Sequence, residues 1–363
     1  MAGRIVLFGA TGYTGRLVAA ALVERGARPV LAGRNPDTLN ELADELGGGF
    51  EVQAADVERP ATVRELVEKG DVLVSTVGPF NRWGDAAVEA AVDAGVHYID
   101  STGEPPFIRR VFEEYGPRAQ AAGCALVTAF GYDWVPGNLA GALVLDEAGE
   151  RAAKVAVAYF MTGGGGSMSG GTAASAAGVM FEPGYAFRAG RVVGERPAKR
   201  VRSFHTGGRD RVGISIGSSE HYGLPAVYPH LREVDTYLGM FGKASRPLQV
   251  VTMAGLVPGV RPLVGALAGR FVKGSTGGPD AEARSKSGSL IAAEACDADG
   301  SLLASVELRG PNGYTFTGDA IAWGAATAAG GGLRGTGALG PVGAFGLEAL
   351  EAGCAEIGLT RAG

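Results

Sequence analysis

The chain has 363 residues, of which 46% are hydrophobic and 20% are charged, and its formal net charge is −5 at pH 7. This composition is typical of a globular protein that can bury a core, and the length predicts two domains or one domain with a large insertion. The negative net charge gives no support to a nucleic-acid partner, and we expect none.

The cysteines and the apolar segments set further limits. Three cysteines lie far apart in the sequence and form no metal-binding spacing, so we expect reduced thiols, no metal and a cytoplasmic location. The chain begins with a strand-like run and shows no signal-peptide pattern. Its most apolar stretch, Val250–Val272, is interrupted by two prolines and two arginines, so we predict no transmembrane helix. Buried core or an inter-domain seam on one side, and surface contact with a membrane on the other, both remain open for this stretch.

Up to about Gly131, short β-branched runs alternate with amphipathic segments. Such alternation predicts a parallel sheet with helices on both faces, which is a Rossmann-type α/β domain. The strand-like runs are RIVLF, RPVLA, FEVQAA, VLVSTV, VHYID and ALVTAF, and the helical patterns are RLVAAALVERG, NPDTLNELADEL and ATVRELVEKG. Asn35 before Pro36 is a typical helix start.

The motif GATGYTG follows the first strand and opens the first helix. In this context Gly9 permits a tight turn, Gly12 lets a pyrophosphate approach the backbone, and Gly15 allows the helix to pack closely on the sheet. The N–H groups at the start of the helix would face the phosphates. We therefore predict a dinucleotide site whose loop also includes Thr11, Tyr13 and Thr14.

The residues after the second strand favour NADP(H) over NAD(H). An NAD-selective site usually has an acidic residue there, whereas this chain has Gly33 and Arg34. A guanidinium suits a 2′-phosphate, although Arg34 is alternatively a solvated turn residue. Asp56, after the third strand, is predicted either to meet the adenine amino group or to cap the next helix.

The fourth strand ends in the sequence STVGPF, and Val77, Gly78 and Pro79 are predicted to lie where the nicotinamide ribose binds. No tyrosine in the chain is followed by a lysine four residues later; Tyr228 with Arg232 comes nearest. This excludes the Tyr/Lys apparatus of the short-chain dehydrogenases. The catalytic residues must therefore be of another kind.

Three further segments, HYIDSTGE, AFGYDWVPGNLAG and SGGTAAS, together with GATGYTG, point to a family. The chain resembles the saccharopine dehydrogenase-like reductases, and within them the branch that includes trans-acting enoyl reductases and saccharopine dehydrogenase-like oxidoreductases. The resemblance covers nearly the whole chain and is best in the first domain. It implies NADP(H) binding and a reductase active site, and it leaves the substrate open.

After the helix that starts near Pro136 the pattern changes to strands joined by short turns. This predicts a second α+β domain built on a largely antiparallel sheet. We predict an NADP-binding domain at residues 1–135, a substrate or dimerisation domain at 136–320, and C-terminal helices at 321–363 that return to the first domain. The strand-like runs are KVAVAYFM, RVVG, VGISIG, EVDTYLG, GSLIAAEAC and SLLASVELRG.

Candidate catalytic residues come from three segments. Ser169 and Thr172 follow a Gly-rich stretch, and one alternative is that they only cap the helix that comes next. The resemblance favours the other alternative, in which they belong to a helix end that faces the nicotinamide and holds a substrate oxygen. Tyr132 and Asp133 follow the last strand of the first domain, and Asp133 either orients nicotinamide or substrate or caps the next helix. Tyr314 is a candidate proton donor or carbonyl clamp, or else a half-buried strand tyrosine.

Seven arginines and Lys199 crowd residues 188–211, with only two acidic residues among them. This run is either a solvated hairpin or a docking surface for an acidic partner, such as an acyl carrier protein or the phosphates of coenzyme A. A homodimer is a further expectation.

The sequence thus favours an NADPH-dependent reductase that delivers a hydride to an enoyl or carbonyl double bond of a largely apolar substrate, small or bound to an acyl carrier. An imine or opine-type dehydrogenase is the second hypothesis. A non-catalytic NADP(H)-sensing or scaffold protein is the third, which the missing Tyr/Lys pair keeps open.

Overall fold

The computed structural model of the chain describes residues 3–163, 182–239, 245–254 and 277–362. The described chain divides into two compact units, the first comprising Met1–Gly103, Phe107–Val135 and Gly313–Gly353. The second comprises Glu104–Pro106, Pro136–Asn312 and Cys354–Gly363. As independent folding domains, the segments 1–135, 136–320 and 321–363 stay predictions.

The chain up to Val127 alternates strands and helices. The strands are β1 Ile5–Phe8, β2 Val30–Gly33, β3 Val52–Ala54, β4 Val72–Ser75, β5 His97–Asp100 and β6 Ala125–Val127. The helices are α1 Tyr13–Glu24, α2 Pro36–Glu45, α3 Pro60–Arg64, α4 Phe80–Trp83, α5 Asp85–Ala94, α6 Pro105–Arg110, a π-helical turn Val111–Tyr115 and α7 Gly116–Ala122.

The rest of the described chain is richer in long strands. Its strands are β7 Lys154–Gly163, β8 Tyr185–Arg188, β9 Arg191–Gly194, β10 Val201–Thr206, β11 Arg209–Ile216, β12 Glu233–Leu238, β13 Ser287–Cys296, β14 Leu302–Gly310, β15 Gly337–Ala338 and β16 Thr360–Arg361. Its helices are α8 Val135–Ala148, a 3₁₀ turn Gly149–Arg151, α9 Glu220–Val227, α10 Ser245–Ala254, α11 Ala281–Ser285, α12 Gly313–Ala329, α13 Pro341–Phe345 and α14 Leu347–Glu356.

The first unit contains a parallel sheet, which among the described residues has seven strands in the order β15-β6-β5-β4-β1-β2-β3. Every residue of β1 and β4 is buried, as expected for apolar runs in the middle of a sheet covered on both faces. The strand order reverses between β1 and β4, and ligands of such sheets bind at this switch point beyond the carboxyl ends of the strands. The predicted Rossmann-type sheet is confirmed.

The helix α12 packs on α1 within the first unit. A Cβ atom built on Gly318 would lie 3.0 Å from Leu17 Cβ and 3.2 Å from the Leu17 carbonyl carbon. Glycine at this position therefore allows the two helix backbones to approach closely. β15 extends the parallel sheet, with Gly337 opposite Ala125 of β6.

The second unit is built on a mixed sheet of nine strands in its described part, with the main order β10-β11-β12-β7-β13-β14-β16. Its pairings are antiparallel except that β7 and β12 run parallel. Apolar side chains of β7, β10, β12 and β13 form a core on this sheet, among them Phe160, Phe204, Tyr237 and Leu290. The predicted largely antiparallel α+β architecture is confirmed.

Two local expectations are wrong, and three elements were not predicted. The segment ATVRELVEKG forms only the five-residue helix α3 rather than a helix along its length. Tyr314 lies in the first turn of α12 and not in a strand. The strands β8 and β10 and the helix α9 were not predicted, because their short apolar runs are interrupted by arginine, histidine, glycine and proline.

Candidate nucleotide-binding site

The loop between β1 and α1 has the geometry that the glycine motif predicts at its first position. Gly9 has a φ of +88°, in the left-handed region that favours glycine. A Cβ there would lie 2.7 Å from Thr76 Oγ1 and 2.9 Å from Val77 Cγ2. The Gly9 N–H donates to the carbonyl of Ala32 at 2.9 Å, which fixes the loop to β2. Both the turn and its close neighbours therefore require glycine.

The second and third glycines differ in what surrounds them. A Cβ on Gly12 would meet only the Gly9 carbonyl oxygen, at 3.3 Å, so the space outside this residue is open. A Cβ on Gly15 would lie 2.1 Å from the Gly9 oxygen and 2.8 Å from the Ala10 oxygen. Gly15 thus allows α1 to pack on the end of β1, while Gly12 leaves room for a phosphate.

No side chain at the N-cap of α1 accepts a hydrogen bond from the N–H groups of its first turn. Gly12 is the N-cap residue, and no side chain caps the helix. Thr11, Tyr13 and Thr14 around it are all partly exposed. Uncapped N–H groups and the positive end of the helix dipole attract an anion, so this loop fits a pyrophosphate.

Arg34 lies beyond the carboxyl end of β2 and is exposed. In the part of the chain that the structure describes, its guanidinium has no hydrogen bond and no ion pair. The next residue, Asn35, caps α2 by accepting a hydrogen bond from the Asp37 N–H at 2.9 Å, as predicted. The backbone of Arg34 is therefore fixed between β2 and the helix cap at Asn35, and its guanidinium group is available to bind an anion.

Asp56 follows β3 and organises a turn. Its Oδ1 accepts a hydrogen bond from the Glu58 N–H at 3.0 Å, and its own N–H donates to Thr62 Oγ1 at 2.9 Å. The N-cap of the following helix is Arg59, without a side-chain cap bond, so the interpretation of Asp56 as a helix cap is wrong. The carboxylate caps the turn before the helix, and its contact with adenine stays a prediction.

The segment after β4 lies beside the glycine loop, because β1 and β4 are neighbours in the sheet. Thr76 Oγ1 donates to the Gly9 carbonyl at 3.1 Å. Val77 is partly exposed, and Gly78 and Pro79 are exposed. The structure therefore brings the predicted ribose-binding segment next to the predicted pyrophosphate loop.

Two predicted site tyrosines, Tyr13 and Tyr132, contact the start of α12, where Tyr314 lies. The ring of Tyr314 packs edge-on against the ring of Tyr13, with centroids 5.2 Å apart. The N–H of Tyr132 donates to Thr317 Oγ1 at 3.0 Å. A Cβ on Gly313 would lie 3.0 Å from Tyr132 Cδ1. The glycine loop, the segment after β6 and the first turn of α12 thus form one continuous surface of the first unit.

Asp133 lies next to Gly103, where a Cβ would be 2.7 Å from its Oδ2. Its side chain is partly buried, and burial raises the pKa of Asp133 to about 6. Among the described residues its carboxylate has no hydrogen bond or ion pair. A carboxyl group of this kind can accept or donate a proton near neutral pH.

Asp100, at the end of β5, is a structural residue that the sequence did not identify as such. Its fully buried carboxylate accepts hydrogen bonds from the Thr102 N–H at 2.9 Å, from Thr128 Oγ1 at 2.7 Å and from the Ala129 N–H at 2.9 Å. Burial raises the pKa of Asp100 to about 6, against the effect of these donors. The residue connects the segments that follow β5 and β6.

Ser169 and Thr172 lie outside the described residues, and so does the part of Val250–Val272 that follows Ala254. Their predicted roles in the helix end, the catalytic site and the membrane contact remain predictions. No helix within the described ranges is long and apolar enough to cross a membrane. In the same ranges, no group of three or more His, Cys, Asp or Glu side chains could hold a metal ion.

The basic run Arg188–Arg211 divides into paired and unpaired charges. Arg188 and Arg200 both contact Asp235, and Arg200 also pairs with Glu195 at 2.5 Å. Arg202 pairs with Glu294. Much of this run therefore neutralises acidic residues of its own sheet, so the interpretation as a simple solvated hairpin is incomplete. Docking of an acidic partner stays a prediction.

Comparison with known proteins agrees with this geometry. Residues 5–127 match the family described as the saccharopine dehydrogenase NADP-binding domain. The trans-acting enoyl reductase of Mycobacterium ulcerans (strain Agy99) is 39% identical to this chain over 140 residues, which cover 37% of this chain and 34% of the relative. The trans-acting enoyl reductase of Mycobacterium leprae (strain TN) is 37% identical over 140 residues, with the same coverage.

The match thus spans about a third of the length of each of these curated relatives. The solved structure of apo saccharopine dehydrogenase (L-Glu forming) from Saccharomyces cerevisiae aligns over 99% of both chains, with a TM-score of 0.59 and 12% identity. This likeness shows a shared fold. The resemblance to saccharopine dehydrogenase-like reductases and the expectation of NADP as the cofactor are confirmed.

Proposed function

We propose that this chain is an NADPH-dependent reductase that delivers a hydride to a polarised double bond, since residues 5–127 match the saccharopine dehydrogenase NADP-binding domain family. The observation that carries the proposal is the open cradle at Gly12 together with the uncapped start of α1. These fit a pyrophosphate, and the unpaired Arg34 suits a 2′-phosphate. When bound, NADPH supplies the hydride.

The residues of the chain contribute binding and orientation. Thr11, Gly12, Tyr13 and Thr14 would surround the pyrophosphate, and Val77, Gly78 and Pro79 would hold the nicotinamide ribose. Asp56 would contact the adenine. Tyr132, Asp133 and Tyr314 are the candidates for the reacting end, since they follow β6 or begin α12 at the surface shared with the glycine loop. Ser169 and Thr172 remain candidates from the sequence.

We further propose that the substrate is a largely apolar acyl thioester, small or bound to an acyl carrier. The segments Gly131–Asn138 and Gly313–Asp319 contain no arginine or lysine, and the rings of Tyr132 and Phe316 lie 6.4 Å apart within them. An opine-type imine carries carboxylates, which require guanidinium groups nearby. The relatives named trans-acting enoyl reductases, matched over a third of their length, support the enoyl form.

The test measures NADPH consumption by the purified full chain with two panels of compounds. One panel contains enoyl and ketoacyl thioesters of coenzyme A, and the other contains keto acids paired with amines. We expect turnover with the thioesters and little with the amine pairs. Turnover confined to the amine pairs would identify an imine or opine-type dehydrogenase instead. Tight NADPH binding without turnover on either panel would identify a non-catalytic NADP(H)-binding protein.

A further inference from the structure

Two aspartates at the carboxyl edge of the first sheet differ in their burial and in their hydrogen-bond partners. Asp100, at the end of β5, accepts three hydrogen bonds and is completely buried. Asp133, in the segment after β6, is partly exposed and has no bonded partner among the described residues. The oxygens of Asp100 are therefore occupied by donors in the fold, whereas those of Asp133 are available to a ligand.

The position of Asp133 is set by close packing. Its Oδ2 occupies the space that a side chain at residue 103 would need, since a Cβ on Gly103 would lie 2.7 Å away. The backbone of the adjacent Tyr132 is tied to α12 through Thr317 Oγ1, which also donates to the Gly313 carbonyl at 2.8 Å. The position of the carboxyl group is thus fixed by its contact with Gly103 and by the hydrogen bond of the preceding residue to α12.

We propose that the protonated carboxyl group of Asp133 is the proton donor of the reduction, an assignment that rests on the proposed reductase function. The hydride brings two electrons and forms a C–H bond at one atom of the double bond. The π electron pair moves to the other atom, which takes the proton from the Asp133 O–H. The carboxylate that remains is reprotonated from water, so that one hydride and one proton are consumed in each turnover.

The surroundings of Asp133 favour its protonated form. The segment with Gly103 also carries Asp100 and Glu104, and the start of α12 carries Tyr314 and Asp319. Burial, rather than any of these charges, raises the pKa of Asp133 to about 6. A general acid is active when protonated, so kcat/KM should be constant below about pH 6. It should fall about tenfold for each pH unit above that value.

The experiment compares wild type with Asp133→Asn, and uses Asp299→Asn as a control at an exposed carboxylate of the turn between β13 and β14. Each protein is checked for folding by circular dichroism and for NADPH affinity by fluorescence titration. We expect Asp133→Asn to keep its NADPH affinity within about twofold, to lose about 10²- to 10⁴-fold in kcat, and to lose the pH dependence above 6. The control should match wild type in all three.

Two further measurements do not depend on the activity of that variant. Nuclear magnetic resonance of ¹³Cγ-labelled aspartate in the ligand-free wild type should show two carboxyl groups titrating near pH 6, those of Asp100 and Asp133, and only the first of them should remain in Asp133→Asn. Gly103→Ala should displace the carboxyl group and lower kcat while NADPH affinity is kept.

A wild-type rate and pH profile in Asp133→Asn, or titration of Asp133 below pH 4.5, would overturn the assignment and leave the reductase proposal standing. Absence of turnover by wild type on both substrate panels would instead overturn the reductase proposal, and the assignment with it.

Discussion

At the scale of single residues, the predicted preference for NADP(H) rests on the charge of Arg34, which has no partner among the described residues. Arg34 is exposed beyond β2 and unpaired in the described chain, in contrast to Arg188, Arg200 and Arg202, which are held by acidic neighbours. An arginine already in an ion pair would have to break that pair before binding a phosphate. The sequence alone led to the prediction that Arg34 faces a 2′-phosphate, because the residue that follows the second strand of such a sheet can be identified from the strand pattern.

We expect Arg34→Ala to weaken NADPH binding by about 1.5–3 kcal/mol, because a charge-assisted bond to the 2′-phosphate is lost. Binding of NADH, which lacks this phosphate, should change little. Fluorescence titration of both cofactors measures the effect, and Arg191→Ala, an exposed arginine of the second unit, serves as the matched control. Equal affinity of wild type for NADPH and NADH would contradict the role of Arg34.

At the scale of elements, the three glycines of one loop have three separate functions. Gly9 adopts a backbone conformation that favours glycine, Gly12 leaves an open cradle, and Gly15 brings α1 against the carbonyl groups at the end of β1. The spacing predicted the turn at Gly9 and the close packing at Gly15, because the turn and the contacts of Gly15 with Gly9 and Ala10 lie within seven residues of sequence. The free space around each of the three glycines depends on the tertiary structure.

This difference predicts that two substitutions in one loop have distinct effects. Gly15→Ala should lower the free energy of unfolding by about 1–3 kcal/mol, since a Cβ 2.1 Å from a backbone oxygen cannot be relieved by a side-chain rotation. Gly12→Val should stay folded, because its Cβ meets only one atom at 3.3 Å, yet it should lose NADPH binding. Urea unfolding and cofactor titration separate the two. Normal NADPH binding by a folded Gly12→Val would place the phosphate site elsewhere.

At the scale of the whole molecule, the first unit is discontinuous in sequence. The family match ends at residue 127, whereas α12 and β15 come from beyond residue 312 and complete the same unit. α12 brings Tyr314 to Tyr13 and packs on α1 through Gly318. Cofactor binding should therefore depend on residues far outside the matched segment.

We expect Gly318→Val to lower the melting temperature and to weaken NADPH binding, because its side chain would force α12 away from Leu17 and α1. Gly194→Val is the matched control, since a Cβ on Gly194 meets no atom within 4 Å. Thermal unfolding with and without NADPH measures both effects. Unchanged stability and affinity in Gly318→Val would show that α1 does not depend on this packing.

The sequence by itself determined the alternation of strands and helices, the glycine loop and the cap at Asn35, because these features depend on residues a few positions apart. It also predicted the antiparallel sheet of the second unit from strands such as β7, β13 and β14. It missed β8 and β10, whose apolar runs are too short and mixed to show a period of two.

Only the tertiary structure decided which distant residues meet. Tyr314 lies in a helix and contacts Tyr13, which is about 300 residues earlier in the chain. Asp133 packs on Gly103, and the ion pairs of Arg200 and Arg202 also join segments that are separated in sequence. The side chains that set these contacts carry no local pattern, since burial and partner choice depend on the neighbours that the fold supplies. Local order therefore predicted the nucleotide loop, and long-range packing determined that Asp100 is held by hydrogen bonds while Asp133 has no bonded partner among the described residues.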